Sequence, residues 1–318
     1  MLDQEYFALT QAAGVVDFSG RGRLEATGDD HKSFLHKLST NDVQGLAAQA
    51  GCEAFFLDAR GHVLGHAFLI STGQSLVMET VHGANETLLK HLDRYLIREK
   101  VELHDRTNEW AELLVAGAQS HELLTRLANG EPPGARLNSA EMVVAGQPAL
   151  VTRVEMTRPG GYLLFLRDGG RREVIDALCA QGAVLCAEEA FTAARVEAGF
   201  PIYGQDITDS NLPQEVARDD LAVSFRKGCY LGQETVARID ALGHVNKTLV
   251  RLRFDAGEPP PPGTELMAGE VDVGRVTSAA FSPLEKAVVA LGYVRRGSNE
   301  PGIKLASACG PAIVLAAR

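Results

Sequence analysis

The sequence predicts an α+β fold: two α+β modules in succession, a connecting segment, and a small β-barrel at the C-terminal end. Three observations predict it. Between residues 14 and 103, short β-branched or alternating runs are interleaved with amphipathic segments of helical period; the same grammar repeats between 110 and 186; beyond 245 only short strand-like runs broken by Gly and Pro remain. The expected boundaries are 1–109, 110–190, 191–244 and 245–318. A chain of 318 residues with 45% hydrophobic and 23% charged residues has the composition of a soluble globular protein able to bury a sizeable core.

In the first module, GVVDFSGRGRLEAT at 14 to 27 reads as strands joined by a tight connection. GDDHKSFLHKLSTND follows as a helix, with Asp29 or Asp30 as N-cap and Phe34, Leu35 and Leu38 at helical spacing. Three apolar runs punctuated by DARG and STGQ then predict a strand meander. HGANETLLKHLDRYLIREKVELHD begins as an amphipathic helix, with Leu88, Leu89, Leu92, Tyr95 and Leu96 on one side, and passes into a strand near Val101 to Leu103.

In the second module, EWAELLVAG reads as a strand and AQSHELLTRLAN as a helix. MVVAGQPALVTRVEM and GGYLLFL follow as antiparallel strands, and GRREVIDALCAQGAVLC as a helix with Val174, Ile175 and Leu178 inward. From EEAFTAARVEAGFP the pattern changes to a helix, a Gly/Pro turn and the polar segment YGQDITDSNLPQEV. GEPPPPG at 257 to 263 stiffens the backbone and removes donors, which places it in a loop. LVRLRF, TELM, VDVGRVTSAA, AVVALGYV and AIVLAA around it are the strands of a barrel.

Composition narrows the function classes. A net charge of −10 opposes general binding to polyanions, and the lone Trp110 offers little stacking surface, so no direct nucleic-acid partner is expected. Cys52, Cys179, Cys186, Cys229 and Cys309 form an odd set without a C-x-x-C pair, which argues against a disulfide framework and a self-contained metal or cluster site. The start MLDQEYFALTQAAGVVDF lacks the basic stretch and apolar run of a signal peptide, and no window approaches a membrane span. The expected compartment is the cytoplasm, with no membrane partner.

Two stretches carry candidate chemistry. In RKGCYLGQETVARI at 226 to 239, a helix starting near Gln233 would place Cys229 close to unpaired backbone N–H groups and to Arg226 and Lys227, an environment that favours a thiolate; a packed cysteine is the alternative. In RVEAGFPIYGQD at 195 to 206, Glu197 falls near a helix end whose exit is the Gly199 and Pro201 turn. A carboxylate there matches a pair of N–H donors such as those of a pterin or guanine; the alternatives are a solvated glutamate or an ion pair with Arg195 or Arg238. His62 and His66 fall on a strand rather than a helix, which makes them a surface or cavity-lining pair rather than metal ligands. GRGR at 20 to 23 lacks the features of a phosphate loop.

KGCYLGQE at 227 to 234 resembles the signature of the YgfZ branch of the folate-binding YgfZ/GcvT superfamily, and RVEAGFPIYGQD is similar to the matching segment of the aminomethyltransferase branch, the glycine-cleavage T-protein. FLHKLSTNDV, LPQEV, VGRVTSAAFSP and ALGYVRR extend the resemblance over nearly the whole chain, with about 110 to 190 the weakest part. The resemblance implies a three-domain ring whose central channel receives tetrahydrofolate or a one-carbon-substituted reduced folate. It implies a pterin-gripping role for Glu197 and a functional role for Cys229; Lys227, beside that cysteine in sequence, is a candidate to orient the turn or tune the thiol. Tyr230, Gln233 and Glu234 carry over as members of the motif, and Arg226 and Arg238 are candidates for the folate's acidic tail or, alternatively, surface ion pairs.

The implied function is a tetrahydrofolate-binding accessory protein that supports iron–sulfur protein assembly or repair and thereby tRNA thiolation, with iron–sulfur client or assembly proteins as partners. The alternative is a folate-dependent aminomethyl or methyl transferase, or demethylase, acting on an amine. Two departures weaken the transferase reading: where that branch has a catalytic aspartate, GHVLGH places Gly65 and His66, so a different group such as His66 would have to substitute as acid or base, and Cys229 stands where transferase-type sequences have no such thiol.

Overall fold

The computed structural model of the protein describes residues 2–167, 169–255 and 257–316. The first stretch runs α1 (Leu2–Gln11), β1 (Gly14–Asp17), β2 (Gly22–Thr27), α2 (His31–Leu38), β3 (Gly51–Leu57), β4 (Val63–Ser71), β5 (Leu76–Thr80), α3 (Ala84–Asp93) and β6 (Glu102–Asp105). The apolar runs of the predicted meander form β3, β4 and β5, within a 5-stranded sheet of order β3-β4-β5-β2-β6. Helical periodicity aims Phe34, Leu35 and Leu38 of α2, and Leu88 and Leu92 of α3, at one face of this sheet. Asp30 does stand at the N-cap of α2, but its carboxylate accepts the Lys100 N–H at 2.9 Å instead of capping the helix.

β1 departs from the expectation that it stays with β2. It lies between its neighbours in a second, 6-stranded sheet of order β11-β1-β7-β10-β9-β8, built with β7 (Ala111–Ala116), α4 (Ser120–Leu127), β8 (Ser139–Val144), β9 (Gln147–Val154), β10 (Gly161–Leu166), α5 (Arg171–Ala180) and β11 (Val184–Leu185). The physical reason is burial on both faces: Val15 enters the core beneath α4 and α5, and Val16 enters the core shared by the two sheets. That shared core gathers Tyr6 and Leu9 of α1, Ile70, Leu114 and Phe165 from the sheets, and Phe191. Each such side chain contributes roughly 1.5–3 kcal/mol on burial. Across the same seam, Arg23 of β2 meets Glu112 of β7 at 2.9 Å, both side chains fully buried.

The chain continues through α6 (Glu188–Ala198), a 3-10 turn (Pro213–Val216), α7 (Asp219–Ala222) and α8 (Gln233–Leu242). Strands β12 (Lys247–Phe254), β13 (Glu265–Ala268), β14 (Val271–Ser282), β15 (Ala287–Arg295), β16 (Lys304–Leu305) and β17 (Ala312–Val314) then form a 6-stranded sheet of order β13-β14-β15-β12-β17-β16. Reciprocal N–H···O bonds of 2.8 Å between Met267 and Ala306 join its two outer strands, so the sheet curls into a nearly closed barrel. The proline run at 257–263 lies outside the strands, as its chemistry requires. The fold is thus the expected α+β arrangement with a C-terminal barrel.

α6 connects these parts. Its Arg195 donates to Asp206 at 2.9 Å, and Asp206 in turn accepts from Thr277 at 2.6 Å and Ser278 at 2.5 Å on β14. The helix is thereby pinned between α1 and the barrel, which fixes the position of Glu197 in its last turn. Among the described residues no helix is long and apolar enough to cross a membrane.

Candidate functional site

Glu197 closes the last turn of α6, and Gly199 ends the helix in the left-handed region at φ 81°. The carboxylate is not the solvated group or the Arg195 or Arg238 partner weighed from the sequence. It is 4% exposed, and its Oε2 accepts hydrogen bonds of 2.5 Å from both Tyr6 of α1 and Ser282 of β14. Arg195 is committed to Asp206, and Arg238 lies exposed on α8. Burial, with the hydrogen bond to Glu197, pushes the Tyr6 phenol far up, so it stays a donor. Glu197 forms part of the wall of a cavity of about 710 Å³, together with Thr10, Gln11, Glu155, Thr157, Arg158, Arg218, Leu221 and Leu284. Segments from α1, the 155–159 turn, α6 and the barrel converge on it.

Arg218 is held in place from behind. Its Nη2 donates to Glu53 at 2.7 Å and its Nε also donates to Glu53, while Arg136 and His66 (Nε2, 2.7 Å) complete the shell around the same carboxylate. The guanidinium also sits 5.1 Å from the Phe200 ring centroid. Burial alone would raise the Glu53 carboxyl, but the Arg218 charge and hydrogen bond, followed by those of His66, outweigh it and hold the group far below the usual carboxylate range. The preceding Ala217 adopts φ 58°, a left-handed geometry rare for a residue with a Cβ, and turns the chain so that Arg218 faces inward. Arg218, Ala198 and Leu221 also border a neighbouring cavity of about 350 Å³ that reaches Arg251 and Leu291 of the barrel.

His66 is therefore a buried partner of Glu53, stacked near Phe55, and it does not line the Glu197 cavity. His62 falls in the turn before β4, 3.6 Å from Asp58. Among the described residues no cluster of three or more His, Cys, Asp or Glu is placed to hold a metal ion.

The KGCYLGQE motif works as a clasp. Lys227 Nζ donates to the carbonyls of His36, Ser39 (2.7 Å) and Asn41 (2.9 Å), closing the C-terminal end of α2 where a cation is favoured. Burial pushes its ammonium down to about 8. The Leu231 N–H donates to Lys37 O at 3.0 Å, Gln233 Oε1 accepts from the Tyr230 N–H at 3.3 Å, and Tyr230 packs into the core beneath. Gly232 sits at φ 79° against the turn after β3, where a Cβ would lie 2.6 Å from Asp58 O. Cys229 is exposed, on a cleft of about 380 Å³ formed with Phe34, Lys37, Leu38, Tyr95, Glu99, Tyr230 and Leu231.

Of the residues singled out in the sequence, only Glu197 reaches the 710 Å³ cavity. Cys229 opens onto a different cleft, Lys227 is occupied by backbone carbonyls, Tyr230 and Gln233 hold the turn, and Arg226, Glu234 and Arg238 are exposed elsewhere. The reason is the clasp: α8 begins against α2 and the β3–β4 turn, and that contact turns the motif away from α6. Sequence reasoning missed Tyr6, Arg218 and Ser282, whose partners lie far along the chain, and Arg158 on the cavity wall; ARDD at 217 to 220, beside the polar LPQEV segment, was the available signal for Arg218.

Comparison with known proteins agrees with this architecture. The GCVT N-terminal domain matches residues 1–227, and the glycine cleavage T-protein C-terminal barrel domain matches residues 247–310. An aminomethyltransferase of Thermus thermophilus is 30% identical over 300 residues, covering 94% of this chain and 84% of that protein. An aminomethyltransferase of Bacillus subtilis is 25% identical over 315 residues, covering 95% and 84%. The crystal structure of the glycine cleavage system aminomethyltransferase T from Bartonella henselae shares the fold, with a TM-score of 0.88 at 20% identity over 99% of this chain and 88% of that one. Such membership is consistent with the tetrahydrofolate cofactor expected from the sequence. The chain belongs to the GCVT family, the family of the glycine-cleavage T-protein.

Proposed function

We propose that the chain binds tetrahydrofolate, or a one-carbon-substituted reduced folate, in the Glu197 cavity and acts as an aminomethyl or methyl transferase, or demethylase, on an amine substrate. The observation that carries this reading is a buried carboxylate held by two hydroxyl donors on the wall of a cavity of about 710 Å³, a size within the roughly 300–1,000 Å³ of small-molecule sites. The residues present fit the group. A carboxylate is the acceptor that paired pterin N–H donors require, and Arg158 and Arg218 supply cations for an acidic tail. A bound reduced folate supplies the nitrogen atoms that accept or release a one-carbon unit.

Within this reading, Tyr6 and Ser282 fix the plane of Glu197, and Glu53 fixes the guanidinium of Arg218, so both recognition groups are set before binding. His66 gives no acid or base to the cavity, because Glu53 holds its ring. Glu155 is the second carboxylate on the cavity wall. The names of the relatives favour the transferase use.

A second reading rests on one observation, the exposure of Cys229 while Lys227, Tyr230 and Gln233 around it are engaged in holding the turn. It places the chain in the YgfZ branch, as a cytoplasmic folate-binding accessory protein for iron–sulfur protein assembly or repair and thereby for tRNA thiolation, with Cys229 acting on a protein partner at a site separate from the folate. One assay separates the two: purified protein, tetrahydrofolate and an aminomethyl or N-methyl amine donor. Transfer of the one-carbon unit to folate that survives Cys229→Ala supports the transferase. Folate binding without turnover, together with loss of iron–sulfur enzyme activity in cells carrying Cys229→Ala, supports the accessory role.

A further inference from the structure

A polar cavity of about 320 Å³ lies where β12, β14 and β15 meet the segment 205–211, and it shares no lining residue with the Glu197 cavity. Strand register gathers cations on its wall. Lys247 of β12 stands directly opposite Arg295 of β15, and Arg275 of β14 stands directly opposite Tyr293, two residues from Arg295 and so on the same face. Like charges opposite one another across an antiparallel pair are destabilising.

The acids at this cavity are already engaged. Asp206 accepts from Arg195, Thr277 and Ser278, and Asp272 accepts the Gly274 N–H at 3.1 Å and lies 3.8 Å from Arg275. Glu215 reaches Lys247 at 3.6 Å and Arg275 donates to Glu265 at 3.3 Å, so the cation of this cluster with no ion pair among the described residues is Arg295. A second observation is independent of charge. Tyr293 is 8% exposed, and its hydroxyl has no hydrogen-bond partner among the described residues, an arrangement that costs stability unless a partner arrives.

We propose that this cavity is a second ligand site, for the phosphoryl group of a small phosphorylated molecule, seated among Lys247, Arg275 and Arg295 and accepting a hydrogen bond from the Tyr293 hydroxyl. A carboxylate is satisfied by one arginine through two parallel bonds, whereas three cations and a hydroxyl donor match a dianion with more acceptor oxygens. The site is independent of the folate reading.

The test is calorimetric titration of the full chain with inorganic phosphate, with acetate as the carboxylate arm and KCl holding ionic strength constant. Saturable phosphate binding is expected, with acetate at least about tenfold weaker, a loss of about tenfold or more in Arg295→Gln, and a loss of about fivefold in Tyr293→Phe. Because the buried tyrosine hydroxyl is unpartnered, Tyr293→Phe is expected to keep or raise the wild-type thermal midpoint in the absence of phosphate. Heats no greater than the KCl control, phosphate binding unchanged in both variants, equal binding of acetate, or a lowered midpoint in Tyr293→Phe would each overturn the assignment.

Discussion

The Glu197 cavity and the Cys229 cleft are built in opposite ways. At the cavity the reactive-looking group is buried, and its partners come from segments distant in sequence: Tyr6 on α1, Ser282 on β14 and, behind Arg218, Glu53 on β3. At the cleft the residues are local, and most of their polar groups serve the backbone, leaving the thiol in solvent. A compact sequence motif can thus record a structural clasp around one exposed group, while a binding cavity leaves only scattered single residues in the sequence.

The comparison can be broken most severely at Glu53. Glu53→Gln leaves Arg218 and Arg136 beside a neutral amide and is expected to cost about 3–5 kcal/mol in denaturant unfolding. Its pH signature follows from the depressed carboxyl. The stabilisation is fully present above the unfolded pKa near ~4.3 and is lost as pH falls toward the much lower folded value, so the wild type loses stability below about pH 4 more steeply than the variant.

The clasp should be next in size. Lys227→Met orphans three carbonyl groups and is expected to cost about 2–3 kcal/mol, measured the same way. Burial lowers the folded Lys227 to about 8, below its unfolded value near ~10.4, so between these pH values the unfolded chain holds more protons and this residue's share of stability rises with pH. Lys227→Met should lack that rise. Cys229→Ser is the smallest change: exposed and outside the cavity, it should alter stability by less than about 0.5 kcal/mol. A loss of tetrahydrofolate affinity in this variant, read by calorimetry, would mean that the two regions are coupled.

Elements with a sustained period were legible in the sequence: the β3–β5 meander, α2, α3, and the short barrel strands after the connecting segment. β1 was not assigned to its sheet, because a four-residue strand with three successive buried residues, Gly14, Val15 and Val16, carries no alternation to say which sheet it joins. Glu197 was legible through its helix exit and the family resemblance. Arg226 and Arg238 stand beside the motif in sequence, but nearness along the chain to a clasp says nothing about reach to the cavity, whose wall carries Arg158 and Arg218. The Glu53 to Arg218 contact joins residues 165 positions apart, beyond any local pattern.

Titration of tetrahydrofolate into the wild type and Glu197→Gln tests the central claim most directly. The amide keeps the size of the side chain but replaces a charged acceptor, so affinity should fall by about ten- to a hundredfold, as expected for a hydrogen bond to a charged group. Equal affinity in the two proteins, with both folded, would contradict the placement of the pterin on this carboxylate.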